Sequence, residues 1–161
     1  MNIKKLLKQY INENIEIESP KMFKAASFER ACFDYAAESD INNYLDNNKD
    51  ENKFQKLLFK YIDDRNLKDS DVYNKVNVDR RLFSKIRNNE DYHPSKETII
   101  LLAASLKLNE DELVTLLDSA SYSLPKNNYF DLIIRFCFIN EIYDVSEIND
   151  LLYEYNCNLL N

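Results

Sequence analysis

The chain of 161 residues is 45% hydrophobic and carries a formal net charge of −7. Its hydrophobic content is that of a folded protein. The complete absence of glycine, with only three prolines, removes most turn residues of β-hairpins and excludes glycine-rich phosphate-binding loops. We therefore predict an all-α fold, whose acidity opposes nonspecific attraction to nucleic acid over the whole surface.

The first 53 residues are predicted to form a helical N-terminal region. A helix at 2–18 has one apolar side, made of Ile3, Leu6, Leu7, Tyr10, Ile11 and Ile15. Further helical patterns follow at 21–37 and, briefly, at 41–45, and the polar residues 46–52 are typical of a linker. The apolar faces of this region require a partner, which is either the rest of the chain or a second subunit.

Five amphipathic segments follow between residues 54 and 120, and each is predicted to be a helix. Their bounds are Phe54–Arg65, Ser70–Val76, Asp79–Asn88, Ser95–Leu106 and Asn109–Ala120. The last two open with capping sequences, in which a serine or an asparagine precedes acidic residues. Together they are predicted to form a complete five-helix unit.

The second and third of these segments are short and are joined by a tight turn. Asp69 or Ser70 is expected to cap the first of the pair, and Asn77 to end it, because asparagine tolerates the left-handed conformation of a sharp helix exit. Asp79 is then placed to cap the next helix. That helix is expected to turn Leu82, Phe83 and Ile86 inward and Arg80, Arg81, Ser84, Lys85 and Arg87 outward.

The basic charge of the chain is concentrated in this pair of helices. Between Lys75 and Arg87 there are five Lys or Arg residues and one aspartate. Two short helices with a basic exposed face form the geometry that delivers side chains into the major groove of DNA. The alternative interpretation is a set of ordinary solvated charges, because acidic residues lie among them at Asp71, Asp79, Glu90 and Asp91.

Four stretches of this region have a pattern that points to a known family. They are Val72-Tyr73 with Val76-Asn77, Phe83-Ser84-Lys85-Ile86, Pro94-Ser95-Lys96-Glu97-Thr98, and Leu108-Asn109-Glu110-Asp111-Glu112-Leu113. In them, residues 54–120 resemble the helix-turn-helix domain of the Xre and Cro (lambda-repressor-like) family, which implies five helices around a small core, the third of which reads DNA. Asn77 and Asn89 replace glycines that are common in the family's turns, and asparagine can adopt the angles needed there.

The resemblance implies that Arg80, Arg81, Ser84, Lys85 and Asn88 bind DNA. Ser70 and Lys75 complete the set of candidate DNA-binding residues as contacts to phosphates. Arg80 and Arg81 begin the recognition helix, where an arginine can donate two hydrogen bonds to guanine. Ser70 can offer its amide to a phosphate, and Lys68 and Lys96 add positive charge nearby.

Residues 121–161 are predicted to form a C-terminal helical extension. They contain six acidic and two basic residues, and they resemble extensions seen after such domains in low-GC Gram-positive bacterial proteins. Within them, residues 129–160 have too much apolar surface for a solvated tail. We expect the segment either to fold back on the five helices or to pair with another subunit, and a homodimer would suit a palindromic DNA site.

Two functions from different classes are compatible with these features. The first is a sequence-specific transcriptional regulator that binds double-stranded DNA through a helix-turn-helix, with no enzymatic activity and no cofactor. The second is an acidic protein-interaction module, such as an inhibitor or a defence-system component, that keeps the fold without DNA binding and engages a partner through its acidic C-terminal region.

The remaining chemistry-bearing residues have structural interpretations. Cys32, Cys137 and Cys157 lie in apolar or helical surroundings, which predicts reduced thiols. His93 is the only histidine of the chain and has no second ligand at the usual spacing, so no metal site is predicted. Neither a secretion signal nor a membrane span is recognisable, and we expect a cytoplasmic protein of a bacterium or phage.

Overall fold

The computed structural model describes residues 3–16, 53–89 and 92–161, and these residues form eight helices and no strand. The helices are α1 (Ile3–Asn14), α2 (Lys53–Asp64), α3 (Asp69–Lys75), α4 (Arg80–Asn88), α5 (Lys96–Ser105), α6 (Glu110–Ser119), α7 (Tyr129–Ile139) and α8 (Val145–Glu154). The predicted all-α class is confirmed for this part of the chain. The helices predicted at 21–37 and 41–45 and the linker at 46–52 lie outside the described residues.

All eight helices contribute to one hydrophobic core. Its centre is α5, in which every residue from Thr98 to Ser105 is buried, as expected of a helix that is apolar on nearly all sides. Around it, α3 and α6 pack on α5, α2 packs on α6, and α7 packs on α6 and α1. None of the helices in the described residues is long and apolar enough to cross a membrane.

The connection between α3 and α4 follows most of the predicted turn chemistry. Asn77 has a φ of 54°, which confirms the left-handed exit from α3. Asp79 caps α4, because its Oδ1 accepts the backbone N–H of Arg81 at 2.6 Å and that of Leu82 at 3.4 Å. Asn89 is extended, with a φ of −120°, so it does not use the left-handed angles that the comparison with a glycine implies.

The predicted cap of α3 is wrong. Lys68, rather than Asp69 or Ser70, occupies the N-cap position, and no side chain accepts a hydrogen bond there. Asp69 and Ser70 lie inside the first turn of the helix. Asp69 instead pairs with Arg87 of α4 at 2.6 Å, so a tertiary contact has taken the carboxylate that the local pattern assigned to the cap.

The starts of α5 and α6 confirm the predicted capping. Ser95 Oγ accepts the N–H of Thr98 at 3.2 Å. At α6, Asn109 Oδ1 accepts the N–H of Glu112 at 2.9 Å and the Glu112 carboxylate accepts the N–H of Asn109 at 3.0 Å. This reciprocal arrangement is a capping box, which satisfies two amide groups that a helix start otherwise leaves unpaired.

The C-terminal segment folds back onto the preceding helices. Lys96 Nζ donates to Asp131 Oδ1 at 2.5 Å, and Arg135 forms an ion pair with Glu110 and donates from Nε to the Leu124 carbonyl at 2.9 Å. The apolar side of α1 is covered by the same segment, where Tyr10 and Phe136 have ring centroids 5.5 Å apart. For residues 129–160, folding back is therefore the alternative that the structure favours.

Cys137 and Cys157 both have unpaired thiols, as predicted, whereas Cys32 lies outside the described residues. Burial in α7 raises the pKa of Cys137 to about 12, and the carboxylate of Glu147 adds to this effect. Burial also raises the pKa of Cys157. Both thiols are therefore weak nucleophiles at neutral pH.

Candidate nucleic-acid interface

The solvent-facing side of α4 carries the residues that the sequence assigned to it. Arg80, Arg81, Ser84, Lys85 and Asn88 are exposed. On the opposite side Phe83 and Ile86 are each only 2% exposed, and Leu82 is half-buried. The predicted division of this helix into an apolar and a basic face is confirmed.

The two arginines at the start of α4 make no side-chain hydrogen bond, ion pair or ring contact with any described residue. Their backbones belong to the helix, and the N–H of Arg81 donates to the Asp79 cap. The N-terminal end of a helix carries a partial positive charge, so cations are favoured at the opposite end. Arg80 and Arg81 thus occupy an electrostatically unfavourable place without a compensating contact in the described part of the chain.

An open groove lies between α3 and α4 beside these arginines. Its volume is about 550 Å³, and it is lined by Leu67, Lys68, Asp69, Ser70, Tyr73, Arg80, Phe83, Ser84 and Arg87. Three of the predicted DNA-binding residues, Ser70, Arg80 and Ser84, therefore meet at one surface. The hydroxyl groups of Ser70 and Ser84 and the cationic side chain of Arg80 can donate hydrogen bonds there to an anionic oxygen.

Two lysines near this region are engaged elsewhere. Lys75 lies outside the groove, and its Nζ donates to the Ser105 carbonyl at 3.2 Å, which holds the end of α3 to α5. Lys96, expected to add charge near DNA, is paired with the buried carboxylate of Asp131. Neither contact was visible in the sequence, because each joins residues that are 30 or more positions apart.

The C-terminal half of α4 is more constrained than its start. Lys85 Nζ lies 4.6 Å from the centroid of the Tyr92 ring, a cation–π contact. Asn88 Nδ2 donates to the carbonyl and to the hydroxyl of Ser84 at 2.9 and 3.0 Å. The amide donors of Asn88 are thereby used within the helix, and its Oδ1 is the atom that it can offer to a ligand.

The C-terminal half of α4 is held to its neighbours by two residues that the sequence did not assign to the site. Gln55 Nε2 of α2 donates to the carbonyls of Ile86 and Arg87 at 2.7 and 2.5 Å. Arg87, expected only to face outward, pairs with Asp69 and stacks on Phe59, with its Cζ 4.0 Å from the ring centroid. Gln55 is partly buried, and the sequence gave no signal of this role, because a single glutamine on an amphipathic helix is an ordinary surface residue.

The described residues contain no group of three or more His, Cys, Asp or Glu side chains that is arranged to hold a metal ion. His93 is exposed and lies against Tyr122, with ring centroids 5.3 Å apart. His93 therefore packs on an aromatic ring within a loop.

Comparisons of the chain with protein-family models, curated proteins and solved structures find no match. The assignment to the Xre and Cro family therefore stays a prediction made from the residues.

Proposed function

We propose that this protein is a sequence-specific DNA-binding transcriptional regulator in which α3 and α4 act as a helix-turn-helix within a repressor-like domain. The observation that carries the proposal is the pair of exposed arginines, Arg80 and Arg81, at the start of α4. They have no side-chain partner in the described residues, and their place at a helix N-terminus is unfavourable in the isolated chain. A ligand with anionic and acceptor groups would compensate both.

The proposed mechanism is occupancy of an operator by α4. Its N-terminal residues would lie in the major groove, where each arginine can donate two hydrogen bonds to O6 and N7 of a guanine. Ser84 faces the same side one turn later. The neighbouring groove that contains Ser70 would receive the phosphate backbone, which fixes the register of the helix without reading sequence.

The operator would be read by two copies of the chain. A helix of nine residues spans only about 13 Å, so one copy of α4 contacts few base pairs. Helix-turn-helix dimers extend the readout by placing two such helices about 34 Å apart on one face of the duplex. We therefore include a homodimer and a palindromic DNA site in the proposal.

One observation favours the second candidate, a protein-interaction module with an acidic surface. The outward side of α8 carries Glu147 and Asp150, which are exposed, and Tyr153, whose exposed fraction is 75%. Carboxylates beside an accessible aromatic ring suit the lysines and arginines of a basic protein partner. An inhibitor or a component of a defence system would use such a surface.

Selection of bound duplexes from a random DNA pool distinguishes the two candidates. The wild-type chain should enrich a motif, and the double variant Arg80→Ala/Arg81→Ala should lose it, because each arginine–guanine contact contributes about 1–3 kcal/mol. Lys56→Ala/Lys60→Ala removes the same charge from exposed positions on α2 and is the matched control. It should leave the motif unchanged.

Failure to enrich any motif with a protein shown to be helical would contradict the proposed function. The second candidate then predicts that a basic partner binds the wild-type chain and that Glu147→Lys/Asp150→Lys weakens this binding. The arginine double variant would bind that partner as the wild type does.

A further inference from the structure

We infer that Arg87 is a positioning residue, which fixes the orientation of α4 and does not itself contact DNA. This inference rests on the proposed function. On the basic face of α4, Arg80 and Arg81 would then contact bases, whereas Arg87 would fix the helix in place. Charge and sequence position alone do not distinguish these two roles.

The edge and one face of the Arg87 guanidinium each contact another helix of the protein. Its Nη2 lies 2.6 Å from Asp69 Oδ1 of α3, and its planar face covers the Phe59 ring of α2 at 4.0 Å. An arginine can make these two contacts at once because its charged group is flat, with donors along the edge and a polarisable face. One side chain thus joins α4 to both neighbouring helices.

Gln55 fixes the same end of α4 through its backbone. The last carbonyls of a helix have no partner inside it, and here Gln55 Nε2 donates to those of Ile86 and Arg87. The C-terminal turn of α4 is therefore held both by the side chain of Arg87 and by its main-chain carbonyl groups. At the other end the side chains of Arg80 and Arg81 extend without such contacts.

The contacts of Arg87 and Gln55 lie at the C-terminal end of α4, whereas the proposed base contacts lie at its N-terminal end. For a helix of nine residues, a tilt of about 5° around one end moves the other by about 1 Å. Hydrogen bonds to base edges do not tolerate such a displacement. The Arg87 charge is also already neutralised by Asp69, so a phosphate would have to displace that carboxylate to gain its contact.

The test compares Arg87→Lys, which keeps the charge but cannot stack and fork in the same way, with Asp69→Asn, which removes the partner. The measured quantity is the ratio of Kd for a scrambled duplex to Kd for the selected duplex. We expect this ratio to fall about threefold to tenfold in both variants. The slope of log Kd against log salt should stay as in the wild type, since no phosphate contact is lost.

Two controls separate positioning from loss of structure and from change of charge. The melting temperature should change little, because the Arg87 and Asp69 side chains are 44% and 35% exposed and exposed ion pairs contribute little to stability. Asp118→Asn makes the same charge change at an exposed site on α6 and should preserve the ratio. In the double variant Arg87→Lys/Asp69→Asn the ratio of the two Kd values should be no lower than in either single variant, because the two substitutions disrupt the same contact.

A direct phosphate contact by Arg87 predicts other results. Arg87→Lys would then keep the ratio, and Asp69→Asn would strengthen binding to both duplexes by releasing the cation. Full discrimination in both variants would overturn the positioning role while leaving the proposed function intact. Absence of discrimination in the wild type would overturn both.

Discussion

The charged residues around the C-terminal helices and those at the start of α4 differ in whether the chain supplies their partners. Lys96 pairs with Asp131, Arg135 with Glu110 and Lys4 with Glu154, so these ion pairs join α7 and α8 to the other helices. Arg80 and Arg81 have no side-chain partner among the described residues. The first set of charges stabilises the fold, whereas the second set is left exposed to solvent in the described part of the chain.

Burial explains why the charges of Lys96 and Asp131 are paired, whereas the pair of Lys4 with Glu154 is largely exposed. The Asp131 side chain is only 4% exposed and that of Lys96 is 20% exposed, and a buried charge is tolerated only with a partner. Asn128 Nδ2 also donates to Asp131 Oδ2 at 2.7 Å. The arginines of α4 stay hydrated, so their lack of partners costs the fold little and leaves them available to a ligand.

Replacement of Asp131 by asparagine should have the largest effect on stability. The variant keeps the shape of the side chain but leaves Lys96 facing a neutral group, so we expect the free energy of unfolding to fall by ~2–3 kcal/mol. Urea denaturation measures this change. Asp118→Asn, at an exposed site on α6, should change it by less than about 0.5 kcal/mol; equal effects would contradict the distinction between the two regions.

Because the thiol of Cys137 in α7 is buried, we expect the free energy of unfolding to depend on pH in the alkaline range. Folding raises the pKa of Cys137 from 9.0 to about 12. The stability that the protonated thiol contributes is therefore complete below pH 9 and is lost as the pH rises toward 12. Between pH 8 and 10.5 the free energy of unfolding of the wild type should fall by about 2 kcal/mol more than that of Cys137→Ala. Urea denaturation at pH 8 and 10.5 measures the difference.

Cys157→Ala is the matched variant for this experiment, because that thiol is only partly buried and its pKa is raised by the same cause. Its loss of stability between the two pH values should resemble that of the wild type more closely. A Cys137→Ala profile parallel to the wild type would show that other groups, such as the tyrosines whose pKa values burial also raises, cause the decline.

The features that the sequence predicted correctly depend on local chemistry. The helix starts at Asp79, Ser95 and Asn109 were predictable because a cap involves residues only two or three positions apart. The outward face of α4 was predictable from helical periodicity. These local signals also identified Arg80 and Arg81, whose exposure needs no tertiary information.

The features that the sequence did not reveal depend on residues distant along the chain. Arg87 lies 18 positions from Asp69, and Gln55 lies 31 positions from Ile86, whose carbonyl it binds. Helical periodicity therefore does not indicate either contact. Lys107 and Glu141 adopt left-handed conformations after helices, with φ of 52° and 57°. Such angles are costly for residues other than glycine or asparagine, and a chain without glycine has to place them on other residues.

Charge reversal at Arg80 should have the smallest effect on stability and the most informative sign. Glutamate at the first position of α4 would complement the positive end of the helix, so we expect the free energy of unfolding to stay constant or rise by up to about 0.5 kcal/mol. Arg87→Glu, at the other end of the same helix, should lower it by about 1 kcal/mol through loss of the Asp69 pair and an unfavourable dipole interaction. Urea denaturation compares the two.

Should Arg80→Glu prove as destabilising as Arg87→Glu, Arg80 would stabilise the fold, and the main support for DNA binding would be lost. A variant that folds at least as well but no longer binds duplex DNA would instead mean that the charge at Arg80 is retained for its ligand, at some cost to the isolated helix.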